Sequence, residues 1–264
     1  RPKQKAFNAQ LRLVANGAEL RDERATEIMA QIDPQYAFWS SVIYMHPART
    51  RRTFELINIV LQFCVYVEMR FKHALAVWRP VELNAQIQPV ITTPGHGAFP
   101  SGHATQAYAV AYVLGQLLDL GRTTTPPPIN AGWAKAQEQL WRQAARISTN
   151  RVVAGVHFPA DSMAGRMLGV TLGEFFVARC AGMGNQYTPR TFNSSYFDTP
   201  PNEDMEFNPY DPAQDLADTS GNLLYTAGAP QTLLTTAHVP QHKSALLGEV
   251  WARARAEWTG RFGL

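Results

Sequence analysis

Long apolar runs are the first thing this sequence lacks. Its best candidate, Leu56 to Val67, is bracketed by Glu55 and Glu68 and contains Asn58 and Gln62, and Val110 to Leu118 is shorter still. A membrane-spanning helix needs about 20 consecutive apolar residues, so the sequence predicts a soluble chain with no membrane partner. Cysteine is nearly missing: Cys64 and Cys180 are the only two, both in apolar helical stretches. That predicts two buried free thiols and argues against a disulfide or a cysteine metal site. An excess of one charge is also lacking. The formal net charge is +3 with no long basic run, which argues against nucleic acid as a partner. No alternating apolar–polar run reads convincingly as a strand, and there is no internal repeat.

What is present is helical. Apolar residues make up 45% of the 264 and charged residues 17%, a globular balance that predicts one domain over 1–264. Helices are expected over 7–32, within 33–50, and over 51–78, the last ending at Arg79-Pro80 because a proline disfavours helix in the residue before it. Residues 81–99 read as a loop, followed by a helix over 101–120 and a surface loop at 123–128. Further helices are expected over 131–154, from Pro159 to Ala181 beyond a break near Gly155, and from Lys243 to Trp258. Residues 184–241 are irregular and aromatic-flecked, a segment expected to wrap the core. The fold class is all-α, a helical bundle. Trp39, Tyr196, Phe197 and Tyr210 look exposed and leave room for a homo-oligomer interface. Asn193-Ser194-Ser195 matches a glycosylation acceptor but is too short to carry weight. The chain begins at Arg1 rather than Met, which leaves open an upstream segment and the compartment, cytoplasmic or exported.

Against this background some polar residues stand out. Lys72 and Arg79 are seven apart, two helical turns, so on a continuous helix they share a face near its end. Each alone is explained by a solvated stripe with Glu68. His157 and Asp161 are four apart, so the carboxylate can orient the imidazole; a buried, satisfied histidine gives the same pattern. Ser101, Gly102 and His103 stand at the entrance of a helix, whose N-terminus favours anions, although Pro and Ser there are also ordinary helix-start residues. Taken together, Lys72, Arg79, Arg151, His103, His157 and the Ser101–Gly102 turn would repel one another in an apolar bundle. They suit a multiply charged tetrahedral oxyanion, phosphate or vanadate.

The stretches "KHALAVWRP" (72–80), "PSGH" (100–103) and "RVVAGVHFPAD" (151–161) resemble, in order, the three-part signature of the superfamily of type 2 phosphatidic acid phosphatases and vanadium-dependent haloperoxidases. Asn150 departs from it, where many members carry Ser; the anion contact rides on Arg151, so little consequence is expected. The resemblance implies that Lys72, Arg79 and Arg151 bind the equatorial oxygens of the anion, with Ser101 and the Gly102 N–H adding hydrogen bonds. It implies His157 as the axial partner, and the only metal ligand if vanadate is the cofactor, His103 as the acid–base group opposite, and Asp161 as the group that orients His157.

Two chemistries are implied for one cage. With a phosphate monoester, His157 would form a phosphohistidine while His103 protonates the leaving alcohol. With vanadate as cofactor, hydrogen peroxide and a halide would be the substrates and a hypohalous acid equivalent the product, Lys72 polarising the peroxide. The absence of membrane spans, the long 184–241 segment and His96 favour the haloperoxidase. His96 stands five residues before Ser101, where the resemblance implies His in algal bromoperoxidases and Phe in fungal chloroperoxidases; bromide or iodide is therefore expected before chloride. In a Gly-rich turn it reads equally as a plain loop histidine. The short chain, and Met69 where several haloperoxidases carry Trp, favour a soluble acid phosphatase. A protein that binds an oxyanion without turnover would need neither His103 nor His157.

Overall fold

The computed structural model describes residues 4–33, 35–120, 131–181, 186–187, 190–192, 225–227, 231–232 and 243–262. The described helices are α1 (Gln4–Asn16), α2 (Arg21–Ala30), α3 (Tyr36–Ile43), α4 (Arg51–Leu75), α5 (Pro80–Leu83), α6 (Gly102–Leu117), α7 (Ala131–Val153), α8 (Pro159–Ala181) and α9 (Ala245–Ala256). The all-α bundle expected from the pattern is what forms. The helix expected over 7–32 is broken by a 3₁₀ turn, Gly17–Leu20. The break near Gly155 is real: Gly155 has φ +82°, a left-handed conformation that glycine adopts without steric cost.

Helix α6 is the centre. Twelve of its sixteen residues are buried, so it is covered on every side, as an all-round apolar helix must be. Helices α4, α7 and α8 pack around it. The contact with α8 is made backbone to backbone: a Cβ on Gly165 would stand 2.6 Å from Ser101 O, and one on Gly169 would clash with Thr105 O. This closeness holds the start of α8 against the start of α6. The core continues through Trp39, Leu56, Ile57, Leu114, Ile147, Phe176 and Trp258. Both cysteines are free and buried.

The C-terminal helix anchors α4. Glu257 accepts from Arg52 N at 2.6 Å and from Thr53 N at 2.9 Å, supplying a carboxylate to first-turn N–H groups that lack intrahelical acceptors. Trp258 Nε1 donates to Thr53 Oγ1 at 2.9 Å.

Three expectations are corrected. Helix α4 stops at Leu75, not 78: Ala76 is left-handed at φ 45°, and Arg79 is extended (φ −79°, ψ 157°) as the residue before Pro80. Strands do occur. β1 (Gln186–Tyr187) pairs antiparallel with β4 (Gln231–Thr232), and β2 (Arg190–Phe192) with β3 (Tyr225–Ala227). At two or three residues each they are too short to carry a visible alternation. Trp39 is no surface aromatic; only 1% of it is exposed, because α3 turns it into the core. The loop at 123–128, the acceptor at 193–195, Tyr196, Phe197, Tyr210 and most of the 184–241 segment lie outside the described residues. Among those described, no helix is long and apolar enough to cross a membrane.

Candidate oxyanion site

The three sequence stretches meet pairwise. Lys72, in the last turn of α4, donates to Gly97 O at 3.2 Å and Ala98 O at 3.3 Å, just ahead of the Pro100–His103 turn. Arg79 NH1 donates to Val156 O at 2.7 Å and to His157 Nε2 at 3.0 Å. Ser101 N donates to Asp161 O at 2.9 Å. Side chains 72, 79, 151 and 157 are all at most 4% exposed, so none is a solvated charge.

Arg79 arrives by another route than expected. It is not on the face of α4 that carries Lys72, because the helix has ended. The extended conformation imposed by Pro80 turns it inward instead, and Glu82 Oε2 accepts from its backbone N at 2.6 Å. Its guanidinium also reaches His96 O and Gly97 O at 3.2 and 3.3 Å. His96 is drawn in with it: His96 Nδ1 lies 3.2 Å from Arg79 NH2. It is a half-buried residue bonded to the cluster, not a free loop histidine.

Asp161 also differs in detail. His157 precedes α8, so the two do not stack on a helical face. Asp161, in the first turn of α8, reaches back: its Oδ2 accepts from Phe158 N at 2.9 Å and from His157 Nδ1 at 3.0 Å. A guanidinium only donates, so the Arg79 contact requires a lone pair on His157 Nε2, and Nδ1 carries the proton given to Asp161. His103 has the opposite tautomer. Its Nε2 meets Gln31 O at 2.9 Å, a carbonyl that only accepts, so Nδ1 is the basic nitrogen.

The cations are held almost wholly by neutral acceptors. Arg151 NH2 donates to Ile28 O at 3.1 Å and to Gln31 Oε1 at 2.9 Å. Its Nε and NH1 are buried without a protein partner, a costly state for a guanidinium unless an acceptor arrives. Burial pushes Arg151 down to about 10. Burial, then Arg79, pushes Lys72 down to about 8. His157 is driven well down by burial, then by Arg79 and Lys72; desolvation and then Arg151 bring His103 to about 3. Burial raises Asp161 to about 7 against the pull of Phe158 N–H. The site is thus a desolvated, positive cluster whose imidazoles are neutral. Among the described residues no three His, Cys, Asp or Glu side chains gather to hold a bare cation; what gathers is a set of donors suited to an oxyanion.

The family model described as the PAP2 superfamily matches residues 53–181, which contain all three stretches. The region 53–181 belongs to the PAP2 superfamily. That superfamily includes vanadium haloperoxidases and acid phosphatases, and its site binds phosphate or vanadate. No curated protein matches the chain.

Two polar residues of this PAP2 site escaped the sequence reading. Glu68, whose spacing predicts a solvated stripe, is 4% exposed. It lies against the Gly102 backbone, where a Cβ would stand 2.5 Å from its Oε1, and it accepts from Gln106 Nε2 at 3.1 Å. Burial raises it to about 7. Its spacing of four from Lys72 was the available signal. Gln31 gave none: a glutamine at a helix end has no distinctive pattern.

Proposed function

We propose that the chain is a vanadate-dependent haloperoxidase that uses hydrogen peroxide to oxidise bromide or iodide. The unpaired Nε and NH1 of Arg151, with Lys72, Ser101 and Gly102, would hold the vanadate oxygens, and Arg79 would turn N–H groups from its present carbonyl partners to them. The Nε2 lone pair of His157, oriented by Asp161, accepts from Arg79 NH1 in the free protein and would be offered to vanadium once the anion draws that N–H away. Bound vanadate would supply peroxide activation. The protein's own part is to neutralise the anion, exclude water and present His103 Nδ1 as a proton acceptor and donor. Lys72 Nζ, which has one N–H beyond its two carbonyl partners, would polarise the peroxide. The observation that favours this reading is His96 within 3.2 Å of Arg79, which adds a third imidazole to those of His103 and His157.

Hydrolysis of phosphate monoesters is the second reading, favoured by the same His157 geometry. An oriented, neutral imidazole can attack phosphorus in line; the N–P bond forms as the ester P–O bond breaks. The bound dianion would favour the charged imidazole, so that His103 Nδ1 takes up a proton from solvent on binding and gives it to the leaving alcohol; water then cleaves the phosphohistidine. One pair of assays separates the readings. Vanadate-loaded protein with peroxide and bromide is expected to brominate a diketone dye, and protein without vanadate to leave p-nitrophenyl phosphate intact. Phosphate release without bromination would establish the phosphatase, and neither activity a binding protein.

Either reading requires oxyanion affinity to depend on pH in one direction. In the free protein Lys72 loses its proton as pH rises through about 8, and Glu68 gains charge through about 7. An anion prefers the protonated form of both. Sulfate, whose own charge is constant over this range, is expected to bind evenly below about pH 6 and to weaken toward tenfold per unit above about pH 8. Titration calorimetry across that range reads the slope; a flat profile would remove Lys72 from the anion shell.

A further inference from the structure

Residues 53–181 carry the family match, yet two of the site's groups are held by a residue outside it. Gln31 is the C-cap of α2 and is completely buried. Its backbone oxygen meets His103 Nε2 at 2.9 Å. Its side-chain oxygen accepts from Arg151 NH2 at 2.9 Å and from Asn150 Nδ2 at 3.1 Å, which uses both of its lone pairs. Its Nε2 donates to Glu27 Oε1 at 2.9 Å. Glu27 is pinned in turn by Arg146, whose Nε and NH2 reach it at 3.0 and 2.7 Å. Every polar atom of the Gln31 side chain is therefore committed, and the amide has one orientation.

On the reading that this cluster binds an oxyanion, we infer that Gln31 is a positioning residue: it sets the rotation of the Arg151 guanidinium and the tautomer of His103 together. The hydrogen-bond count supports this. Arg151 NH2 has two N–H groups, and α2 takes both, one through Ile28 O and one through Gln31 Oε1. A guanidinium is planar and rigid, so fixing one nitrogen fixes where Nε and NH1 aim, and those are the two left unpaired. The C-terminal turn of α2 also presents carbonyl oxygens, the negative end of the helix dipole, to a buried cation. The main-chain contact acts separately. By accepting from Nε2–H it leaves the lone pair of His103 on Nδ1. Asn150, the departure from the family pattern, is part of this device: its amide bridges Gln31 Oε1 and Glu27 Oε1 at 3.1 and 2.9 Å, two acceptors that a short hydroxyl with one proton could not serve at once.

A double-mutant cycle on the full chain tests it. Gln31→Met keeps the volume and the backbone carbonyl but removes the acceptor for Arg151. Sulfate affinity is expected to fall about tenfold with Arg151 present and less than twofold in the Arg151→Lys background, since the effect passes through the guanidinium. The pH profile of turnover is expected to keep the wild-type His103 limb, because the main-chain contact survives. An equal loss in both backgrounds, or none, overturns the inference even if the melting temperature drops. Should Gln31→Met not fold, Gln31→Asn, which keeps an amide too short to reach Arg151, takes its place in the cycle with the same criterion. Wild-type protein that binds no sulfate overturns the oxyanion site itself and this inference with it; wild-type binding with an unchanged cycle overturns this inference alone.

Discussion

His157→Ala is expected to lower turnover by roughly 10³-fold or more, whichever of the two reactions the protein runs. Among the described residues the imidazole is the only side chain whose lone pair faces Arg79 NH1, at 3.0 Å, while its other nitrogen is tied to Asp161 at 3.0 Å. Removing it takes away the atom that would meet phosphorus or vanadium, and no described neighbour can substitute: Lys72 is committed to two carbonyls, and His103 is held by Gln31 O. The three cations remain, so sulfate binding is expected to survive within about tenfold. That split between binding and turnover distinguishes a catalytic imidazole from one that only fills space. Steady-state assays on the purified variant, with sulfate titration beside them, read both. Retained turnover would end the axial assignment.

Arg151→Met is expected to act in two opposite directions. Sulfate affinity should fall about a hundredfold, since two charge-assisted hydrogen bonds of about 1.5–3 kcal/mol each are lost, partly offset by water. The stability of the anion-free protein should hold or rise, because burial opposes the charge strongly enough to push Arg151 down to about 10, and two of its nitrogens have no protein partner. Replacing a buried, under-paired cation with an apolar chain of similar length removes that penalty, although Gln31 Oε1 and Ile28 O lose a donor. Thermal melts with and without sulfate check it. Wild-type protein should gain stability with sulfate by about 2.7 kcal/mol at a hundred times Kd, and the variant should gain almost none at that concentration. A variant that melts far lower without sulfate and still responds to it would mean that Arg151 is a structural cation.

The residues that depart from their expected geometry are instructive. Spacing predicts Arg79 as a neighbour of Lys72 on one helical face. It reaches the same cluster although α4 ends at Leu75 and Arg79 is extended, because Pro80 turns the chain where the helix would have carried it away. The spacing of four predicts His157 and Asp161 as a stacked helical pair; they meet because a first-turn carboxylate reaches back over the start of α8. Glu68, expected in solvent, is buried against Gly102. In each case spacing along the chain showed which groups were close, but the local conformation that made them close had another cause.

The sequence by itself determined the helical texture, the break at Gly155 and the identity of the charged and imidazole groups in the three stretches. These depend on residue type and on periods of a few residues, which a linear chain displays directly. Only the tertiary structure decided which donors are satisfied and which are left over. Arg79 is saturated by carbonyls from the 96–97 loop and Val156, Arg151 is half satisfied by α2, and His103 takes its tautomer from Gln31. Hydrogen bonds between residues 17 to 123 positions apart leave no period in the chain. They exist because α6 and α8 pack backbone to backbone and bring the ends of α2, α4 and α7 to one buried point.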